Sequence, residues 1–194
     1  MGHRLSKIYT RTGDTGSTGL ADGSRVAKNA PCIEAIGAVD ELNSCVGMVL
    51  AERLPQDVRT CLTDVQHDLF DLGGELSIPG HTILNAGHIR KLETALDRFN
   101  AKLPPLKDFV LPAGTRAAGC VHVARAVCRR AERRVVTLAD TAPAFALSYL
   151  NRLSDLLFVL ARVLNRRAGR GDVLWQQGKN REGGRRKVEG GRGK

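Results

Sequence analysis

The stretch Ser148–Leu164, SYLNRLSDLLFVLARVL, decides the fold class. Its second half places apolar side chains on nearly every side of a helix, which is typical of a helix buried in a core. Asn151, Ser154 and Asp155 interrupt the apolar surface with a polar patch at positions i, i+3 and i+4. This patch either lies on the outer face of the helix or, as in many helical bundles, contributes inward-facing groups to a site.

Apolar spacing predicts four helices before this one, and it extends the fifth from about Pro143 to Arg167. Pro143 suits a first helical position, and Gly169 suits a C-terminal stop. No period-two alternation persists, and aromatic residues make up only 4% of the chain, so a sheet-based core is not expected. The sequence therefore predicts an all-α five-helix bundle, with its first four helices at about 33–53, 57–76, 88–101 and 115–138.

The C-terminal residues differ in composition from the rest of the chain. Residues 1–177 are predicted to form one domain, and residues 178–194 a basic tail that is disordered because it consists almost entirely of Gly, Lys, Arg and Glu. From Gln176 on, seven Lys/Arg and two Glu supply +5 of the net charge of +10. Such a charge suits nucleic acid, a membrane surface or a polyanionic small molecule, and does not choose among them.

Several classes of function lack their sequence signals. No apolar run reaches about 18 residues, so no membrane span is expected. Five cysteines, an odd number without a Cys-x-x-Cys pair, indicate reduced packing residues in a cytoplasmic protein. Neither the cysteines nor the five histidines have metal-ligand spacing, and no Ser-His-Asp arrangement is suggested. An enzyme with this sequence should act through positioning and electrostatics.

A Gly-rich polar segment, YTRTGDTGSTGLADGSRVAK, occupies Tyr9–Lys28. It matches neither the Walker pattern nor Gly-x-Gly-x-x-Gly, and no predicted strand precedes it. Glycines and hydroxyls nevertheless suit an anion, because backbone N–H groups can converge on it and Lys28 adds charge. The alternative is a solvated loop of turns.

The fourth helix contains HVARAVCRRAERRVV, His122–Val136. Arg125, Arg129, Glu132 and Arg133 lie on one of its faces at i, i+4, i+7 and i+8. Guanidinium groups bind phosphate or carboxylate in a planar, bidentate way, so this face predicts an anion site. The alternative is a solvated helix with a weak Glu132–Arg129 pair.

The first helix carries a second polar patch, because Asp40, Asn43 and Ser44 share a face of VDELNSCVG. As in the fifth helix, these side chains either face solvent or build part of a site.

Five motifs in this order resemble the PduO-type ATP:cob(I)alamin adenosyltransferases, over about residues 4–177. They are KIYTRTGDTGSTGLADGSRVAK, EAIGAVDELNS, FVLPAGT, VCRRAERRVV and YLNRLSDLLFVLAR. The resemblance implies a five-helix bundle that assembles as a homotrimer with active sites between subunits. It also implies transfer of the 5′-deoxyadenosyl group of ATP to the cobalt of cob(I)alamin, which yields adenosylcobalamin and triphosphate and uses Mg²⁺.

The resemblance also assigns roles to residues of this sequence. Asp40 and Arg125 match a pair that bridges subunits, and Phe109 matches an aromatic residue beside the corrin, where it helps to keep the lower cobalt ligand away. The ATP site would be formed by Thr10, Arg11, Thr12, Gly13, Thr18, Lys28, Arg129, Arg130, Glu132, Arg133 and Asn151.

Two positions depart from the family pattern, since Cys32 and Ile36 stand where relatives often carry Arg and Tyr. The expected partners are the two substrates, a second and third copy of the chain, a reductase that supplies Co(I), and an enzyme that accepts adenosylcobalamin. Nucleic acid and membranes are not expected partners. Two alternatives stay open: a nucleic-acid-binding helical protein, which leaves the Gly-rich loop unexplained, and a cobalamin-binding bundle without turnover.

Overall fold

The computed structural model describes residues 9–78 and 80–179 of the chain. The predicted tail lies outside the described residues from position 180 onward. The five predicted helices are confirmed, with ends within three residues of the predicted ones. They are α1 (Pro31–Leu50), α2 (Gln56–Ser77), α3 (Ala86–Asn100), α4 (Arg116–Val136) and α5 (Ala146–Arg167), with a 3₁₀ turn at Ala139–Thr141.

Two helix starts are set by local chemistry. Pro31, not Ile33, begins α1, since proline has no N–H to leave unpaired at a first helical position. Pro143 was predicted to play this role in α5, but α5 begins at Ala146, whose N–H donates to the Pro143 carbonyl across a turn. Gly169, with φ at +73°, follows the end of α5, as predicted.

A short β-hairpin is present that the sequence pattern did not predict. Strands β1 (Ser17–Gly19) and β2 (Arg25–Ala27) pair antiparallel, with Thr18 opposite Val26. Asp22 and Gly23 form the connecting turn, in which the Asp22 carboxylate accepts hydrogen bonds from the Ser24 N–H and hydroxyl. The hairpin joins the bundle at the end of α2, where the Ala21 N–H donates to the Ser77 carbonyl (3.2 Å).

The core is built around α5, of whose 22 residues fourteen are buried. It packs on α3 and α4, and α4 in turn packs on α1, which packs on α2. The buried Tyr149 of α5 donates a hydrogen bond of 3.0 Å to Asp68 of α2. Burial raises the pKa of Asp68, and burial together with that carboxylate raises the pKa of Tyr149, so the tyrosine keeps its donor proton. No described helix is long and apolar enough to cross a membrane.

Candidate active site

The Gly-rich segment folds back on itself as the hairpin, and this brings its predicted site residues together. Gly16 has φ at +84°, and its carbonyl accepts the Lys28 N–H (2.9 Å). A Cβ on Gly13 would lie 3.1 Å from the Lys28 Nζ, so a side chain there would displace the ammonium group. The Thr10 and Thr12 hydroxyls lie 2.9 Å apart. The segment therefore presents hydroxyls, backbone and one ammonium group on an exposed loop.

Arg25 holds this loop in shape, a role that sequence reasoning missed. Its Nη2 donates to the Thr12 carbonyl (2.6 Å) and to the Ser17 hydroxyl (2.7 Å). Arg11, by contrast, is exposed with φ at +61°, and its guanidinium lies 5.5 Å from the centre of the Tyr9 ring. A non-glycine residue in this left-handed region is uncommon; Ala139, in the 3₁₀ turn, is the other one among the described residues.

The predicted arginine face of α4 opens onto a groove of about 660 Å³ between α3, α4 and α5. Arg125 and Arg129 both line it, as the i, i+4 spacing predicts. Arg152 and Arg162 of α5 add a third and a fourth guanidinium, which the sequence did not single out. Arg152 is balanced by Glu93 (3.0 Å) and Asp155 (3.5 Å). Among residues 9–78 and 80–179, no carboxylate lies within ion-pair distance of Arg125 or Arg129.

An aromatic cavity of about 600 Å³ continues from this groove. Leu106, Arg125 and Phe158 line both spaces and mark the passage between them. Beyond Arg125 the lining is mainly apolar, with Phe109 and Val110 of the connection between α3 and α4. Because the groove and the cavity share lining residues, they adjoin, and we refer to the two together as the depression, with a cationic end and an aromatic end.

Phe109 is 76% exposed, which is unusual for a large aromatic side chain. Its ring meets the ring of Trp175 edge-on, with centroids 6.1 Å apart, and the backbone N–H of Trp175 donates to the Phe109 carbonyl (2.8 Å). Phe158, in turn, packs edge-on against His122, at 6.5 Å. Both aromatic side chains therefore have a second ring to support them.

His122 lies behind the passage and is 5% exposed, with neither ring nitrogen hydrogen-bonded within the described part of the chain. Burial, and then the neighbouring Arg125, lower the pKa of His122, so the ring is neutral at neutral pH. The Nε of Arg125 is also buried without a partner. Arg125 therefore keeps unused hydrogen-bonding capacity at the centre of the depression.

The other predicted residues of α4 and α5 divide into two groups. Asn151 donates to Glu132 (3.0 Å), and Arg133 donates to the Arg129 carbonyl (2.9 Å), so these polar groups form one cluster on the outer side of α4 and α5. The predicted alternative of a Glu132–Arg129 pair is not observed. Arg130 points away from this cluster and pairs with Glu41 of α1.

The polar patches of α5 and α1, which the sequence left open as outer or inward-facing, have different surroundings. Ser154 is buried and donates to the Asn151 carbonyl (2.8 Å), whereas Asp155 is exposed. Asn43 ties α1 to α2, because its amide donates to the Gln66 carbonyl (3.2 Å). Asp40 is exposed, and in the described residues of one chain it contacts neither Arg125 nor another charged group.

The described residues contain no group of three or more His, Cys, Asp or Glu side chains that could hold a metal ion. A second cavity, of about 700 Å³, lies between α2 and α3, but Asp57, Asp64 and Asp68 face Arg90, Lys91 and Arg98 across it. The arginine groove also contains carboxylates, from Glu93, Asp97 and Asp155, but its four arginines leave one positive charge in excess, so it is the better match for an anionic ligand.

Comparison with known proteins assigns this chain to a class. The model of the family described as cobalamin adenosyltransferase matches residues 8–164, and the chain belongs to that family. A cobalamin adenosyltransferase of Cupriavidus metallidurans is 61% identical over 180 residues, covering 91% of this chain and 98% of the relative. A corrinoid adenosyltransferase of Bacillus subtilis is 44% identical, covering 88% and 93%.

Solved structures agree with this assignment. A variant of the PduO-type ATP:corrinoid adenosyltransferase from Lactobacillus reuteri, complexed with cobalamin and ATP, has a TM-score of 0.84 at 35% identity. The match covers 88% of this chain and 97% of that one. The resemblance inferred from the five motifs is thereby confirmed.

Proposed function

We infer that this chain catalyses the ATP-dependent adenosylation of a corrinoid in the depression that joins the arginine groove to the aromatic cavity. The observation that carries this inference is the pairing of two guanidinium groups without a close carboxylate, on Arg125 and Arg129, with an aromatic wall of the exposed Phe109 and the half-buried Phe158. A polyphosphate suits the first end. A broad, mostly apolar macrocycle suits the second. The family and its solved relatives bind such a pair of substrates.

The reaction requires the protein mainly to position the two substrates and to stabilise the charge on the departing triphosphate. The Co(I) electron pair forms the bond to C5′ of ATP, the C5′–O bond breaks, and its electrons leave with triphosphate. No protein nucleophile or base is needed. Arg129 would hold phosphate oxygens in a bidentate way and stabilise the departing charge, and Arg125, at the passage, would lie between the two substrates. Positioning of C5′ opposite cobalt then supplies much of the rate.

We propose that Mg²⁺ enters bound to ATP. The residues present fit this role, because Mg²⁺ prefers oxygen ligands and usually keeps phosphates and water with only one or two protein groups. Glu132 and the amide oxygen of Asn151 offer such oxygens beside Arg129 and Arg133. The ion would supply further charge neutralisation on the triphosphate.

We further propose that the active site is shared between subunits of a homotrimer. In one chain, the hairpin residues Thr10–Lys28 line neither the arginine groove nor the aromatic cavity, so a loop and a groove that both suit ATP are separate. Placing the loop of one subunit over α4 of the next would join them. Thr10, Arg11, Thr12, Gly13, Thr18 and Lys28 would then face Arg129 and Glu132 of the neighbour.

We also propose two protein partners in the cytoplasm. Co(I) is a strong reductant, so a reductase must supply it close to the time of reaction. The product is a cofactor with a reactive cobalt–carbon bond, so an enzyme that uses adenosylcobalamin should receive it.

The reaction itself tests the proposed function. Protein, ATP, Mg²⁺ and chemically reduced cobalamin are mixed, and the corrin absorption spectrum is followed. We expect the Co(I) spectrum to give way to that of adenosylcobalamin, with one triphosphate released per corrinoid. A spectrum that changes equally without ATP, or not at all, would leave only a corrinoid-binding protein.

Phe109→Ala is expected to leave ATP binding unchanged but to make bound Co(II) harder to reduce. The reason is that Phe109 is exposed toward the aromatic cavity and contributes little to the core. Phe70→Ala is a matched control, because Phe70 is 77% exposed on α2 and lines neither space. The measurement is the rate of adenosylation starting from Co(II) and, separately, from preformed Co(I).

The comparison of the two starting states decides the role of Phe109. Full recovery with preformed Co(I) places its effect on reduction. A lower melting temperature without a reduction defect would assign it to packing alone.

A chain that ends at Gly178 is expected to keep its activity and its melting temperature. The residues removed contain seven Lys/Arg, two Glu and one Val, which is too little apolar surface to dock on the bundle. Activity and thermal melting are measured side by side with the full chain. A nucleic-acid binder would behave differently. The full chain would then bind DNA or RNA with a salt-sensitive affinity, and the truncation would abolish it. We expect no such affinity in the full chain.

A further inference from the structure

Arg162 is a charged residue in the most apolar part of α5, and it is 3% exposed. A buried guanidinium is costly unless its donors are paired. Here its Nε and Nη2 bind both carboxylate oxygens of Asp172, at 2.9–3.2 Å, and Nη2 also donates to the Pro104 carbonyl (2.8 Å). One side chain thus joins α5, the connection between α3 and α4, and the segment that follows α5.

Asn165, one turn further along α5, fastens the far end of the same connection. It is 2% exposed, its Oδ1 accepts the Thr115 N–H (2.9 Å), and its Nδ2 donates to the Ala113 carbonyl (2.9 Å). Gly114 has φ at +117°, and a Cβ there would overlap the Asn165 amide. The connection is therefore held at Pro104 and at 113–115, with Phe109 midway between.

The midpoint is held from the other side by the segment after α5. The Leu111 N–H donates to the Val173 carbonyl and the Trp175 N–H to the Phe109 carbonyl, each at 2.8 Å, and Val110 pairs with Leu174. Trp175 then meets the Phe109 ring edge-on. These backbone contacts between 109–111 and 173–175 form a short ladder, and Asp172 is the residue immediately before it, so the Arg162–Asp172 pair anchors the chain at its start.

We propose that Arg162 and Asp172 are positioning residues for the corrinoid end of the site, acting through the 173–175 ladder on Phe109. This proposal rests on the proposed function. Arg162 lines the arginine groove, but it is 3% exposed and its Nε and Nη2 are bound to Asp172 and the Pro104 carbonyl, and Asp172 lines neither the groove nor the aromatic cavity. The pair therefore acts by fixing the position and orientation of the aromatic wall against which the corrinoid lies. A fixed wall contributes to affinity because no ordering has to accompany binding.

Asp172→Asn tests the proposal, since it removes the charge partner with almost no change in size. We expect the KM for corrinoid, measured with preformed Co(I), to rise about tenfold, as when the support of a binding group is lost, while the KM for ATP changes less than about twofold. The matched control is Asp57→Asn, which removes the carboxylate partner of Arg167, another α5 arginine bound at 2.6 Å. Asp57 does not touch the 101–115 connection or the ladder, so the Asp57→Asn variant should keep the wild-type KM for corrinoid.

Trp175 is the only tryptophan of the sequence, so its fluorescence reports on the ladder without any substrate. In Asp172→Asn we expect red-shifted emission and greater quenching by iodide, because the ring leaves the shelter of Phe109. The Asp57→Asn control should emit as the wild type does. If wild-type protein fails to adenosylate cobalamin, the proposed function is wrong. The Trp175 emission of the variants would still show whether the Arg162–Asp172 pair holds the ladder in place.

A second variant keeps the proposal falsifiable if the single change prevents folding. Arg162→Met combined with Asp172→Asn removes the pair and leaves no buried charge unpaired, so it should fold. It should still show the altered Trp175 emission and the raised corrinoid KM. Wild-type emission and corrinoid KM in either variant would overturn the proposal. So would a parallel rise of both KM values that follows a loss of thermal stability.

Discussion

Arg129→Lys is expected to lower kcat/KM for ATP by about 30- to 160-fold, which corresponds to about 2–3 kcal/mol of transition-state stabilisation. Arg129 lines the groove with no carboxylate partner among the described residues, so its guanidinium is free to hold two phosphate oxygens. A lysine keeps the charge but replaces the planar guanidinium, which can donate two parallel hydrogen bonds, with a single ammonium group. Steady-state kinetics with ATP as the varied substrate measure the loss.

Arg134→Lys serves as the control for this substitution. Arg134 lies on the same helix, but it pairs with Glu34 of α1 at 3.6 Å and does not line the groove. We expect both variants to melt at the wild-type temperature, and only Arg129→Lys to lose activity. An Arg129→Lys enzyme with wild-type kcat/KM would remove Arg129 from the ATP site.

Asp40→Asn and Arg125→Gln are each expected to weaken ATP binding or the trimer by about 3–5 kcal/mol, if assembly buries the pair. In one chain Asp40 is exposed and unpaired among the described residues, while Arg125 has a buried Nε without an acceptor. Contact across a subunit boundary would satisfy both. The double variant should then lose less than the sum of the two single losses. Dissociation constants for ATP and sedimentation of the assembly measure these effects.

Subunit exchange tests the geometry of this pair. In a mixed trimer of the two single variants, some interfaces contain both wild-type partners, so activity per site should exceed that of either variant alone. Glu34→Gln and Arg134→Gln form the control, because that ion pair lies within one chain and mixing cannot restore it. Additive losses without recovery on mixing would mean that Asp40 and Arg125 do not meet.

The helices and the arginine face could be predicted because both follow from spacing along one helix. The 3.6-residue period of apolar side chains located all five helices, and the i, i+4 spacing placed Arg125 and Arg129 on one surface. Polar residues within a buried helix were harder to interpret. Asn151, Ser154 and Asp155 share a spacing, yet only Ser154 is buried, because the neighbours that bury it come from other helices.

The parts of the site that could not be predicted depend on contacts between distant segments. Arg162 and Asn165 stand out in the sequence as polar residues in an apolar run, but nothing local shows that they hold the Phe109 connection. Phe158 and Arg152 reach the depression only because α5 packs beside α4. The hairpin was missed because its strands have three residues each, too few to show alternation, although Asp22-Gly23 is a common turn pair.

The packing order of the helices has a consequence for how the chain folds. The α1–α2 and α4–α5 contacts join helices that are neighbours in sequence, connected by residues 51–55 and 137–145. Such helical hairpins close short loops and form early. The α1–α4 contact instead closes a loop over all the residues between Ala51 and Thr115, which costs more chain entropy. We therefore expect docking of the first hairpin onto α4 to limit the folding rate, so that the groove of α3, α4 and α5 forms before α1 is in place.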